Sequence, residues 1–320
     1  MCAASSTPTR SPRPMRPPWP PRGDIMSNKT VVITGGNSGI GLAIAHEVAQ
    51  RGATVCLACR DQRKAAAARE EIMQRTPGAQ VELYPLDLAS FDAIEHFVRS
   101  FSSRHDRLDA LINNAGAVPT RQQFTAEGFE LQFGGNYLGP FLLTHRLLPL
   151  LQVAADAGGV GRGDARIVNM SSIAHNVGRI DLNTARGRKP YRVLPAYAQS
   201  KLGNLLMSHT LARRLPPGIT SQAMHPGGVA SPLYRDLPSW QYAVMKPFMI
   251  GPERAGRLAA ELALGPARRG QTGGYFSIQH PRIESAAARN KALQDVLYQQ
   301  SCIWTEVDPM HSRLPTQMAA

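Results

Sequence analysis

Cysteine is scarce in this chain of 320 residues. The four present, Cys2, Cys56, Cys59 and Cys302, are too few and too scattered for a disulfide scaffold. A reducing compartment is therefore expected. No run approaches the ~18 consecutive apolar residues of a bilayer span, so none is expected. Acidic residues are few: 23 Asp and Glu stand against 36 Lys and Arg, a net charge of +13. That excess favours an anionic partner such as a phosphorylated cofactor. Nucleic acid is not expected, because no basic run or aromatic-basic motif of a nucleic-acid module occurs. What the chain does have is 43% hydrophobic residues, enough for a sizeable core.

Residues 1–25 read as a disordered tail, and 26–320 as a single domain. Pro8, Pro12, Pro14, Pro17, Pro18, Pro20 and Pro21 sit among Ser, Thr and Arg, with Trp19 to bury. Such a segment cannot offset its ordering entropy. The tail is Arg-rich and acid-poor, like a transit peptide, but its prolines oppose an amphipathic helix and it lacks a secretory h-region. From Thr30 short β-branched runs alternate with helical patterns. Strands are expected at Thr30–Thr34, Thr54–Ala58, Val81–Tyr84, Asp109–Asn113, Arg166–Met170, Thr220–Met224 and Gly274–Ser277. Helices are expected near Ile40–Arg51, Arg63–Arg75, Phe91–Arg104, Ala126–Leu151 and Ala196–Leu215. The alternation implies an α/β fold, a parallel sheet with right-handed crossovers.

Thr34-Gly35-Gly36-Asn37-Ser38-Gly39-Ile40-Gly41 joins the first strand to the first helix. Gly35 permits a tight turn, Gly39 a close approach to a pyrophosphate, and Gly41 packing of helix on strand. The helix N-terminus offers free N–H groups to an anion. At the tip of strand two stand Cys59, Arg60 and Asp61. Arg60 favours a 2′-phosphate and hence NADP. Asp61 could instead hold the ribose of NAD, or cap the next helix. Cys56 and Cys59, three apart on a strand, point to opposite faces and should not meet, so no metal site is expected. Leu86-Asp87-Leu88 after strand three could reach an adenine, or cap a helix beside Ser90. Asn113-Asn114-Ala115-Gly116 ends strand four, under the cofactor, where its asparagines can cross-link strands.

In Tyr197-Ala198-Gln199-Ser200-Lys201 the first and last residues share one helix face. The ammonium can lower the pKa of the phenol and let Tyr197 exchange a proton near neutral pH. Tyr242-Ala243-Val244-Met245-Lys246 matches the same spacing but lies beyond strand six, with no strand-end hydroxyl before it. Ser171-Ser172 precedes the first motif.

With these motifs in this order, the chain resembles the short-chain dehydrogenases/reductases over about Lys29–Trp304. More narrowly it resembles the group of retinol dehydrogenases, the WW-domain oxidoreductase and protochlorophyllide reductases. Ala58-Cys59-Arg60-Asp61, Asn136-Tyr137-Leu138-Gly139, Ser171-Ser172-Ile173-Ala174-His175 and Gly273-Gly274-Tyr275-Phe276-Ser277 carry that resemblance. It implies a doubly wound Rossmann sheet of seven strands, order 3-2-1-4-5-6-7. It implies Ser172 as holder of the substrate oxygen and Tyr197 as acid/base. It also implies Lys201 on the nicotinamide ribose and Asn136 ordering a water that passes protons to Lys201. His225-Pro226-Gly227-Gly228-Val229-Ala230-Ser231 matches the turn over the nicotinamide, with Pro226, Gly227, Val229 and Ser231 as contacts.

Membrane retinol dehydrogenases carry an apolar N-terminal anchor, whereas this chain has a proline-arginine tail. The segment Arg179–Pro195 is an insertion that shapes the substrate mouth. Trp240, Tyr242, Val244, Met245, Phe248, Met249 and Ile250 form a largely apolar lobe, which implies an apolar substrate or, equally, core. The expected function is NADP(H)-dependent interconversion of a carbonyl and an alcohol on a small lipophilic molecule, with NAD(H) second. C=C reduction on the same fold and a non-catalytic cofactor-sensing scaffold are the rivals. A cytoplasmic location, no membrane span and a homodimer complete the expectation, with organelle import through the tail as the alternative.

Overall fold

The computed structural model describes residues 28–157, 159, 161, 163–228, 251–278 and 284–310. Its sheet is built from the β-branched runs. The strands are β1 (Thr30–Thr34), β2 (Thr54–Cys59), β3 (Val81–Pro85), β4 (Ala110–Asn113), β5 (Ala165–Met170), β6 (Ile219–His225) and β7 (Tyr275–Ser277). All pairs are parallel, and the order is β3-β2-β1-β4-β5-β6-β7. The order reverses between β1 and β4, so the crevice at the carboxyl ends of these two strands is where such a sheet binds ligands.

Side chains alternate across the sheet and feed two cores. Val32, Cys56 and Leu111 face α3 (Phe91–Ser102), α4 (Leu131–Ala155), α5 (Val193–Arg214) and α8 (Lys291–Thr305). Val31, Ile33, Val55, Leu57 and Ile112 face α1 (Gly39–Gln50), α2 (Gln62–Arg75) and α6 (Pro252–Leu264). A short α7 (Ala286–Arg289) precedes α8. Cys56 lies in the first core and Cys59 in the second, so the two thiols do face apart.

The helix expected over 126–151 is displaced. Ala126 donates its N–H to the Ala89 carbonyl, Gly128 takes φ +79°, and Phe124 bridges Glu130. The helix starts at Leu131, where the buried Glu130 carboxylate accepts the Gln132 and Phe133 amides at 3.0 Å each. It then runs to Ala155 with a π-turn over Gly134–Leu138. Among the described residues, α4 is the one helix long and apolar enough to cross a membrane. Two thirds of its most apolar stretch is buried inside the domain, as a core helix would be. Neither α6 nor α8 was expected from the sequence. Residues 1–27 and the Trp240–Ile250 lobe, with Tyr242 and Lys246, lie outside the described residues.

Candidate active site

The glycines at the end of β1 have the backbone geometry of a tight turn with close packing. Gly35 has φ +66° and Gly39 +52°, left-handed conformations that a side chain resists. A Cβ on Gly41 would lie 2.1 Å from the Gly35 carbonyl oxygen, so only glycine lets α1 pack there. Ser38 enters α1 in extended conformation without a side-chain cap, and no acid occupies the first turn. The N–H groups of Gly39, Ile40 and Gly41 thus have no intrahelical acceptor, an arrangement that suits an anion. The floor of this loop is Cys59. Burial pushes its thiol up to about 11, against the pull of the Gly36, Asn37 and Gly35 amides, so it stays a neutral packing group.

Arg60 follows, exposed, with no hydrogen bond or ion pair among the described residues. Asp61 is committed elsewhere: its Oδ1 accepts the Lys64 amide at 3.1 Å as the N-cap of α2, which holds the carboxyl below the usual range. Asn37 donates from Nδ2 to the Asp61 carbonyl at 3.4 Å, tying the glycine loop to the same corner. Asp87 accepts the Ala89 amide at 3.0 Å, while Ser90 caps α3 and Leu88 is buried in the core.

The asparagines cross-link strands as anticipated. Asn114 Nδ2 donates to the Thr34 carbonyl at 2.9 Å, and the Thr34 hydroxyl accepts the Asn114 and Ala115 amides at 3.0 Å each. Asn113 Nδ2 reaches Asn169 at 2.9 Å and Thr144 at 3.1 Å. These bonds set Ala115 and the exposed Gly116 beside the glycine loop.

Lys201 lies in α5 with its side chain buried among neutral groups. Its Nζ donates to the Met170 carbonyl at 3.0 Å and stands 5.7 Å from the centre of the Tyr197 ring, as the four-residue spacing requires. Burial lowers its pKa to about 8. A Cβ built on Gly116 would lie 3.7 Å from Lys201 Nζ and 3.6 Å from Asn136 Oδ1, so Asn136 and Lys201 flank one space over that glycine. Asn136 sits in the π-turn and clamps the strand-end loop: Nδ2 donates to the Ala117 carbonyl and Oδ1 accepts the Ala117 amide, both at 2.8 Å. Its side-chain amide is thus spent on Ala117. Such turns recur at functional sites.

Ser171 and Ser172 divide their work. The Ser171 hydroxyl donates to the Lys201 carbonyl at 2.8 Å, locking β5 to α5. Ser172 starts a 3-10 turn, Ile173–Val177, and its hydroxyl accepts the Ala174 amide at 3.2 Å, which leaves its proton to offer elsewhere. Gly178 brings this turn onto α5, where a Cβ would meet the Ala198 carbonyl at 2.5 Å. Ser172 and Tyr197 are therefore set on adjoining elements. Ile173 and Val177 in that 3-10 turn and Leu194 in the first turn of α5 are exposed apolar residues. Pro226 and Gly227, with φ +81°, follow β6 at the same sheet end. Val229 and Ser231 lie outside the described residues.

Sequence reasoning missed the supports: the Met170 carbonyl under Lys201, the Ala117 clamp, and His175. His175 is fully buried and donates from Nδ1 to the Ser172 carbonyl at 2.6 Å, and burial lowers its pKa, which favours the neutral ring. The spacing of His175 three residues after Ser172 was visible, but nothing in it says that the ring turns back.

A short chain dehydrogenase family model matches residues 29–242. Human "Retinol dehydrogenase 11" is 40% identical over 280 residues, 87% of this chain and 86% of the relative. Among solved structures, an uncharacterised protein from Mycobacterium paratuberculosis superposes with a TM-score of 0.69 at 33% identity, covering 88% of this chain and 96% of that one. The Pseudomonas aeruginosa RhlG/NADP active-site complex gives 0.64 at 26% identity, covering 81% and 97%.

Proposed function

The chain belongs to the short chain dehydrogenase family and is an NAD(P)-dependent oxidoreductase acting between CH–OH and C=O; on that premise we propose that it works on a lipophilic small molecule with NADP(H) as preferred cofactor. One observation carries the reading: a buried lysine, Lys201, with a neutral carbonyl as its hydrogen-bond acceptor, four residues from Tyr197 and across Gly116 from Asn136.

The residues fit a dinucleotide. Gly35, Asn37, Ser38, Gly39, Ile40 and Gly41 would cradle the pyrophosphate, with the amides of Gly39, Ile40 and Gly41 turned to it. Asp87 and Leu88 would border the adenine. Asn114, Ala115, Gly116, Tyr197, Lys201, Pro226 and Gly227, with Val229 and Ser231, would line the nicotinamide end. When bound, the cofactor supplies or accepts a hydride at the substrate carbon. The protein handles the proton. Tyr197 donates it from its hydroxyl to the carbonyl oxygen, or takes it back from the alcohol, and the Lys201 ammonium stabilises the phenolate that results. Ser172 donates a hydrogen bond to the same oxygen and fixes it against Tyr197. Asn136 acts by holding Ala117, and through it the loop beneath.

The cofactor preference rests on Arg60 and Asp61. With the Asp61 carboxylate turned to the Lys64 amide, Arg60 is the group free to meet a 2′-phosphate. The exposed apolar side chains of Ile173, Val177 and Leu194, with the retinol named for the relative, point to a long apolar alcohol or its aldehyde. The test is kcat/KM with NADPH and NADH, using retinol, its aldehyde and short-chain aldehydes, in the parent and in Arg60→Ala. The parent should prefer NADPH by about one to two decades, since hydrogen bonds to charged groups are worth roughly 1.5–3 kcal/mol. The variant should lose most of that ratio. A parent that prefers NADH, or short aldehydes over the long apolar one, overturns the respective half of the proposal.

A further inference from the structure

Away from the glycine loop, on the other face of β2, lies a second cluster of chemically able side chains. Cys56 pairs in register with Glu82 on β3, so their side chains stand side by side on one face of the sheet. Tyr84, two residues along, shares that face. His105 comes from the turn after α3, its ring stacked on Phe101 with centroids 4.5 Å apart. The Cys56 Sγ, a Glu82 carboxylate oxygen and a His105 ring nitrogen all lie within 4.8 Å of one another. Hydrogen bonds preset the acid and the imidazole. His105 Nε2 is 3.0 Å from Glu82 Oε2 and 3.1 Å from the Tyr84 hydroxyl, which donates to Glu82 Oε2 at 2.6 Å.

Thiolate, imidazole and carboxylate together form a donor set for zinc and its near relatives, not for magnesium or calcium. Zinc bonds of ~2.0–2.3 Å in a tetrahedron separate ligand atoms by about 3.3–3.8 Å. The present spacing closes to that by at most about 1.5 Å of side-chain movement. Cys56 is fully buried, while Glu82, on the edge strand β3, and His105 are partly exposed, so solvent reaches the cluster from the β3 side. We propose that Cys56, Glu82 and His105 bind a zinc-class divalent cation, which clamps the edge strand β3 and the turn after α3 to β2. Binding transfers the Cys56 thiol proton to solvent, and His105 gives its Nε2 lone pair while its proton resides on Nδ1. No electron moves.

The full chain, stripped of metal by a chelator and dialysed, is titrated with zinc chloride and separately with cobalt chloride. One equivalent should bind, the melting temperature should climb with zinc concentration, and cobalt should give a thiolate charge-transfer band with strong visible absorption. Glu82→Gln and His105→Gln should each weaken zinc by at least ~10-fold while leaving NADPH-linked turnover unchanged. Cys56→Ser should abolish the charge-transfer band; the other two variants carry the test if this buried site does not tolerate the change. No shift and no band, or responses intact in both Glu82→Gln and His105→Gln, overturn the site.

Discussion

Two cations are buried at opposite ends of β5, and they are treated differently. Arg166, at its start, is paired twice: Nε and Nη2 meet the Asp164 carboxylate at 2.8 and 2.5 Å. Its Nη1 donates to the Leu262 and Gly265 carbonyls at 3.2 and 2.7 Å, at the C-terminal end of α6. Every part of that charge is answered, in the bidentate form that suits a guanidinium. Lys201, beside the end of β5, has the Met170 carbonyl and the Tyr197 ring. Among the described residues no acid pairs with it, and burial lowers its pKa. Removing one partner of a buried ion pair is costly, whereas a buried charge with no counterion among the described residues is itself a cost, and such groups cluster at functional sites.

The sharpest way to break this contrast is to remove the lysine. Lys201→Met should lower kcat/KM by about 10²–10⁴-fold, the range for general acid–base groups, yet leave the apo protein no less stable. The Met170 carbonyl keeps the Asn204 Nδ2 donor at 3.1 Å, so nothing polar is stranded. Tyr197→Phe should lose activity to the same degree with cofactor affinity little changed. Steady-state kinetics and thermal melts of the three proteins decide it. If Lys201→Met unfolds while Tyr197→Phe stays folded and active, the lysine is structural.

The converse change is Arg166→Met. It should leave kcat of the folded enzyme near the parent value and destabilise by about 3–5 kcal/mol, because Asp164 and two helix-end carbonyls lose their donor. A urea melt reads this directly. A loss below about 1 kcal/mol would show that Arg166 and Asp164 are no more than a surface pair.

The lysine was legible and the arginine was not, for a physical reason. Tyr197 and Lys201 report their relation through helix geometry, which spacing alone determines. The glycine turn is legible likewise, because Gly35 and Gly41 answer local needs: a positive φ and a close carbonyl. Arg166 opens a strand, and its meaning comes from Leu262 and Gly265, nearly a hundred residues away. The start of α4 was misread for the same cause. Ala126 and its neighbours suit a helix, but their amides are taken by Ala89 and a turn at Gly128, both tertiary decisions. The π-turn that carries Asn136 leaves no trace in an apolar periodicity. In α8 the stripe of Leu297, Tyr298 and Cys302 is blurred by exposed Val296 and Ile303. Pro252 at the first turn of α6 and Gly265 just past its end were readable start and stop signals.

The smallest effect is the most diagnostic of why Lys201 differs, and it lies in the pH dependence of stability. The folded-state pKa of Lys201 is lowered by burial to about 8, against 10.5 for a free lysine. Below about pH 8 the ammonium is charged in both states, and its burial costs stability in full. Between about pH 8 and 10.5 the unfolded chain holds a proton that the folded protein has released, so stability rises with pH. The slope approaches about 1.4 kcal/mol per pH unit, and the total is about 3 kcal/mol. Other groups overlap that window. Lys29, lowered chiefly by burial, adds to the rise, whereas Cys56 and Cys59, raised by burial, oppose it above their unfolded values near 9. The measurement is therefore a difference: unfolding free energy of the parent minus that of Lys201→Met, from pH 7 to 10. The parent should start as the less stable and close the gap as pH rises through 8. A gap that is constant across the range would mean that the ammonium is solvated or paired after all, and the contrast with Arg166 would vanish.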